Sequence, residues 1–305
     1  MPVTLRASCI GSLAGETLKI EAPSQATGQV VNTFLSSFYV KTSSGELVFF
    51  TNRSLRSPIT VNIDPAVSLD RITKPHDLLH LHGKQIDLSG AVIGLDHATS
   101  YEHRPASFDQ LGSAIGKIRE ALRIVPFILS IIDTSQSALD RRGLTYDRVA
   151  NFVNDGALAL RNQGMENRFR ETALKIIGLG FGLTPSGDDI LGGFLAAYNA
   201  LARGVRRSPI LLEFPILQDR TSWISAKLLD YMQHLILDEE LDLIIQTAAR
   251  GDADALTLAL ETLLPRGHTS GIDIATGAIL ALSLIRDIVL DEKETEVVAG
   301  KLGLL

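Results

Sequence analysis

The stretch GLGFGLTPSGDDILGG, from Gly178 to Gly193, constrains this chain most, because part of it returns at Ser270. Ser186-Gly187-Asp188-Asp189-Ile190-Leu191-Gly192-Gly193 aligns with Ser270-Gly271-Ile272-Asp273-Ile274-Ala275-Thr276-Gly277 on the pattern S-G-x-D-I-x-x-G. Thr184-Pro185 precedes the first copy and His268-Thr269 the second. Each copy opens an apolar segment of helical character. A helix start leaves about four backbone N–H groups without intrahelical acceptors and carries partial positive charge, which makes it an anion site. Two matching starts predict one pocket built from two related ends.

Part of the pattern has a packing explanation. Ser186 as N-cap with Asp189 at N3 resembles a capping box, and Ser270 with Asp273 repeats it. Asp189, Gly193 and Ala197 are spaced four apart, as are Asp273, Gly277 and Ala281, so small residues share a face on which two helices can approach. Capping and packing leave Asp188 without a structural duty, since the second copy has Ile272 there. They also leave unexplained the glycines at 178, 180 and 182, which suit backbone brought close to a ligand. Thr184 and Thr269 add hydroxyl donors, and His268 is placed to donate to a developing oxyanion. The adjacent carboxylates need a reason to coexist at an anion site. One option is a Mg²⁺ ion bridging Asp188 or Asp189 to phosphate. The other has Asp189 turned to the backbone while Asp188 accepts from a ligand NH₂.

With 305 residues, 45% hydrophobic and 21% charged, the chain is long enough for two domains and an ordinary soluble core. The net charge of −6, without a basic block, argues against nucleic acid. The single cysteine, Cys9, excludes an internal disulfide and fits a reducing compartment. Met1 to Ala14 has no secretory h-region, and the apolar runs Ile124 to Ile132 and Ile274 to Ile285 are short of the roughly 20 residues of a membrane span. These features predict a cytoplasmic protein without a membrane partner.

The fold class expected is α+β: a β-rich N-terminal domain over 1–100, as a small barrel or sandwich, then an all-α C-terminal domain over 101–305. Val3, Leu5 and Ala7 alternate with Thr4, Arg6 and Ser8, the period of a half-buried strand. Gly28 to Lys41 and Glu46 to Thr51 read as strands joined by a hairpin at Thr42 to Gly45, followed by runs at Ile59 to Ile63 and Gln85 to Leu95. The polar stretch Asp96 to Ser107 marks the boundary. Helices are expected over Thr145 to Arg161 with Thr145 as N-cap, Glu166 to Ile177, Trp223 to Leu237, Glu240 to Arg250, Asp252 to Leu264, and Ser270 to about Leu290.

Other signals are weaker. The glycines at 178, 180 and 182 read G-x-G-x-G, not the dinucleotide fingerprint. His76, His80 and His82 read as a polar strand face, so no metal site is assigned there. Arg220-Thr221-Ser222, with Ser225 a turn later, opens a helix, and Arg220 is a candidate clamp for a carboxylate or phosphate.

The two motifs, GxGLTPSGDDxLxG and GHTSGxDxxxG, resemble the signature of a family once catalogued only as a domain of unknown function. It includes a subunit of bacterial oxamate carbamoyltransferase, from anaerobic allantoin degradation, a branch of purine catabolism. The resemblance is strongest over Gly178 to Leu195 and Gly267 to Leu280, extends to Arg220 to Ser225, and holds only in character for the first third. It implies carbamoyl transfer between oxalurate and phosphate on one side and oxamate and carbamoyl phosphate on the other, together with partner subunits. Read with the chemistry, Asp188, Asp189 and His268 are the catalytic candidates. Gly182, Thr184, Ser186, Gly187, Arg220, Thr269, Ser270, Gly271 and Asp273 are the candidates for substrate binding. Mg²⁺ is an optional cofactor. A Mg²⁺-dependent hydrolase or phosphotransfer enzyme using Asp188 and Asp189, and a non-catalytic assembly subunit, are the alternatives.

Overall fold

The computed structural model describes residues 2–18, 26–64, 68–103, 117–122, 143–144 and 146–290. Thr145, the apolar run Ile124 to Ile132, and the end of the expected boundary segment lie outside the described residues. The chain divides into two compact units: Met1–Arg104 with Ile236–Glu239, and Pro105–Leu235 with Glu240–Leu305.

The first unit is a closed barrel with eight strands in its ring. In chain order the strands are β1 (Val3–Gly11), β2 (Ala26–Phe34), β3 (Ser37–Thr42), β4 (Leu47–Thr51), β5 (Thr60–Ile63), β6 (Leu78–His82), β7 (Gln85–Asp87), β8 (Ala91–Gly94) and β9 (Thr99–Tyr101). The sheet order is β5-β4-β3-β2-β6-β7-β8-β1-β9, and the additional antiparallel pairing of β1 with β5 closes the ring. That pairing decides barrel over sandwich. β1 shifts register between Ala7 and Cys9, a bulge that bends the strand. Its first half pairs with β8 in parallel and its last residues pair with β9.

Alternation fills the interior. Leu5 and Ala7 of β1 point in, as expected, while Val3 is exposed. Phe38 stacks on Phe50 across β3 and β4, with Val30, Val40, Val48, Val61, Leu79, Leu81, Ile86 and Ile93 around them. Closure removes the free edges that an open sheet would present. Thr42 to Gly45 forms the predicted hairpin loop, with Gly45 in the left-handed region at φ +80°. The Thr42 hydroxyl accepts from the Glu46 N–H there. Two runs read as single strands are each two. Gly28 to Lys41 turns at Leu35-Ser36 between β2 and β3, and Gln85 to Leu95 turns between β7 and β8. Neither turn has the Asn-Gly or Asp-Gly pair that would have marked it. His80 and His82 flank the inward Leu81 on β6, so they lie on the outer face, and the described residues contain no cluster of three metal donors.

The second unit is helical in its described residues. The helices that position the site are αA (Glu166–Ile176), αB (Ser186–Ala202), αC (Trp223–Gln233), αD (Glu239–Arg250), αE (Ala253–Leu263) and αF (Ser270–Leu290). Every residue of αB is buried. The segment expected as one helix to Arg161 is instead a short α-helix at Tyr146–Asn151, a π-turn at Phe152–Ala157 and a 3₁₀ turn at Leu158–Arg161. Gly156 lets this segment pack closely on αA, because any Cβ there would strike the Thr172 hydroxyl. αC stops before its expected end, with Leu235 in the left-handed region at φ +62°. No described helix is long and apolar enough to cross a membrane.

The stacked rings in the barrel give a direct test. Phe50→Ala removes a side chain with no solvent exposure and should cost about 3–5 kcal/mol. Urea unfolding followed by circular dichroism measures it.

Candidate functional site

Each copy of the motif is one half of a structural repeat. αA leads through a loop into αB, and αE leads through a shorter loop into αF. The second helical residue of each long helix is a glycine, and each abuts the end of the preceding helix. A Cβ on Gly187 would collide with the carbonyl of Ile176, the last residue of αA, and one on Gly271 with that of Leu263, the last residue of αE. The next glycine of each motif does the same across the helix pair. A Cβ on Gly193 would strike the Ile274 carbonyl, and one on Gly277 the Ile190 carbonyl. Ile190 and Ile274 occupy the same place in the pattern, so the contact is reciprocal and relates αB to αF by a pseudo-two-fold. Of the packing face expected from Gly193, Ala197, Gly277 and Ala281, the two glycines lie at the crossing, and the two alanines are buried.

The helices run in the same sense, with their N-terminal tips together. Thr184 Oγ1 lies 3.2 Å from Ser270 Oγ, joining the first motif to the second. Both hydroxyls hydrogen-bond to Asp189, and Asp273 is close enough to act on its charge. Asp189 is 4% exposed and Asp273 is fully buried, while Thr184, Thr269 and Ser270 are half-buried. The tips thus form a rim of hydroxyls above a floor of two carboxyls. Burial pushes the Asp189 carboxyl well above the usual carboxylate range. The Ser270 and Thr184 hydroxyls act against that push, and Asp273 and Asp188 reinforce it.

Two sequence expectations change here. Neither motif forms a capping box. Ser186 and Ser270 are the first helical residues rather than N-caps, and αB has no side-chain cap. The N–H groups of Asp188 and Asp189 both go to the Pro185 carbonyl, and that of Asp273 goes to Thr269. The tips also offer fewer free amides than a bare helix start. The Gly187 N–H donates to the Leu179 carbonyl and the Gly271 N–H to the Arg266 carbonyl, at 2.8 and 3.0 Å. Gly187 and Gly271 are packing residues, and Ser186 is buried with them. What the tips present is hydroxyl and carboxyl.

Asp188 has a structural duty after all. It is 2% exposed and accepts from the Gly178 N–H at 2.7 Å, the Thr221 hydroxyl at 2.5 Å and the Ser225 hydroxyl at 2.6 Å. Burial raises its pKa, and the hydrogen bonds from Ser225, Thr221 and Gly178 oppose the rise. One carboxylate therefore binds the glycine loop, the Arg220-Thr221-Ser222 turn and αC together. Both its oxygens are engaged by protein donors, which gives Asp188 a structural role whatever else it does.

The glycine loop is shaped by this tie. Gly178, Gly180 and Gly182 have φ of +78°, +120° and +93°, and a Cβ on Gly178 would meet the Arg220 carbonyl. The loop presents Phe181 to solvent, with Gly182 exposed beside it. The Arg220 guanidinium is exposed and donates to the Leu174 carbonyl at 2.9 Å, which ties it to αA. The Ser222 hydroxyl donates to the Leu183 carbonyl at 2.8 Å and also accepts from the Ser225 N–H as the cap of αC. His268 is exposed and sits just before Thr269. The sequence reading missed Thr221 and Ser225 as the partners of Asp188. The doubled aspartate was the available signal, since a buried carboxylate must find donors.

The fold and site define a two-unit protein, a closed barrel followed by a helical unit built around an internally repeated helix pair. Residues 176–282 match the family model described as oxamate carbamoyltransferase subunit AllH. The family suspected from the motifs and the family whose model matches are the same, and the matched segment holds both copies of the motif and the Asp188 tie. No curated protein and no solved structure matches the chain.

Two substitutions test the architecture. Asp188→Ala strands three donors and should destabilise the helical unit by about 2–4 kcal/mol, read by denaturant unfolding. Gly193→Ala and Gly277→Ala should each cost about 1–3 kcal/mol or more. The double variant should cost less than their sum, because either Cβ forces the same separation of αB from αF.

Proposed function

We propose that this chain is a subunit of a carbamoyltransferase acting on oxamate- or oxalurate-like small acids, with carbamoyl phosphate or phosphate as the other partner and with further subunits completing the enzyme. The observation that carries the reading is the meeting of Thr184 and Ser270 over Asp189, inside the segment that matches the family. A site to which both repeats contribute suits a reaction with two substrates, since much of such a rate comes from holding both in register.

In the direction that consumes oxalurate, a phosphate oxygen attacks the carbamoyl carbonyl. The bond from that carbon to the oxamate nitrogen breaks, the nitrogen leaves with a proton, and carbamoyl phosphate remains. The Thr184, Thr269 and Ser270 hydroxyls are the donors for carboxylate or phosphate oxygens at the rim. His268, exposed beside them, is the candidate donor to the oxyanion that develops on the attacked carbonyl. Asp189 and Asp273 act as acceptors below. This arrangement replaces the earlier expectation of an anion held by helix-start amides, because those of Gly187 and Gly271 are spent on carbonyls. It also gives Asp188 the work of holding the loop.

The test is reconstitution with the partner subunits. Phosphate-dependent cleavage of oxalurate should require this chain, and Ser270→Ala should lower kcat/KM by on the order of tenfold or more, about 1.4 kcal/mol. An equally active assembly without the chain refutes the reading. Dependence on the chain together with indifference to both Ser270→Ala and Thr184→Ala assigns it a scaffolding role instead.

A further inference from the structure

We infer that Asp189 and Asp273, one carboxylate from each repeat, hold a hard divalent cation, Mg²⁺ or Mn²⁺, with the Thr184 and Ser270 hydroxyl oxygens as its other protein ligands. The primary observation is Asp189 Oδ2, which is buried and accepts no hydrogen bond. A buried polar atom left unmatched costs free energy, and such atoms are rare in folded proteins. Among the described residues Asp189 also has no ion-pair partner. Two carboxylates at one helix crossing repel, and a cation between them turns the repulsion into attraction.

The donor set selects the ion. All four groups are oxygen donors, and the cluster has no cysteine or histidine ligand, which favours Mg²⁺ or Mn²⁺ over zinc. Mg²⁺ keeps several waters or substrate oxygens in its shell, and the half-exposed rim is where those would lie. Burial also argues for an ion over a substrate amide, since carboxyls exposed by 4% or less admit an ion more readily than an NH₂ group on a larger molecule. This site differs from the adjacent pair Asp188 and Asp189, because Asp188 is occupied by Gly178, Thr221 and Ser225. A second argument rests on the proposed function: a cation between the two carboxyls would let an anionic acid or phosphate settle over them without repulsion.

The experiment titrates Mn²⁺ alone into the full-length chain, followed by electron paramagnetic resonance and calorimetry, with Mg²⁺ as competitor. We expect one saturable ion per chain, displaced by Mg²⁺. Asp189→Asn and Asp273→Asn should weaken binding on the order of tenfold or more with an unchanged circular dichroism spectrum. Should those variants fail to fold, Ser270→Ala at the half-exposed rim is the reporter, and it should also bind more weakly. No saturable binding at millimolar Mn²⁺, or affinity unchanged in every folded variant, overturns the inference. Because neither substrate nor partner subunit is present, the outcome is independent of whether the carbamoyl transfer reading holds.

Discussion

The helical unit depends on one close approach, the backbone contact between αB and αF at Gly193 and Gly277. Each glycine faces the carbonyl of the isoleucine in the other copy of the motif, so neither has room for a methyl group. That contact brings the two tips together and sets Thr184 beside Ser270. It also forces Asp189 and Asp273 into a shared, nearly waterless space. The candidate chemistry follows from the packing, since carboxyls at such a depth must find a proton, a donor or an ion.

Much of this was legible in the chain. The repeated S-G-x-D-I-x-x-G pattern announced two related helix starts, and the four-residue spacing of Asp189, Gly193 and Ala197 announced the face they share. The motifs also pointed to the family that matches. The alternation around Leu5 and Ala7 marked the first strand, and the scatter of short runs marked a barrel or sandwich. Choosing between those two required the pairing of β1 with β5, a non-local contact that no local pattern encodes.

The misreadings share a cause. Ser186 with Asp189 fits the capping-box spacing, yet the helix begins at Ser186 because the Pro185 carbonyl accepts the N–H groups of Asp188 and Asp189. Asp188 looked idle because its partners lie at Gly178, Thr221 and Ser225, two of them more than thirty positions away in sequence. Arg220, read as a clamp for an anion, also donates to the carbonyl of Leu174 on αA, a bond its spacing in the sequence did not suggest. In each case a tertiary acceptor outcompeted the local one that sequence spacing suggested.

The barrel's ring is closed by its first strand. β1 pairs with β5, β8 and β9, all made well after it during synthesis. A nascent chain must therefore hold Val3–Gly11 unmatched at the ribosome until Thr60–Ile63 emerges, and it completes the strand's other edge only once Thr99–Tyr101 has followed. Contacts so distant along the chain slow folding and leave an unpaired strand open to other chains meanwhile. Val3–Gly11 is thus the strand whose pairing is completed last although it is made first.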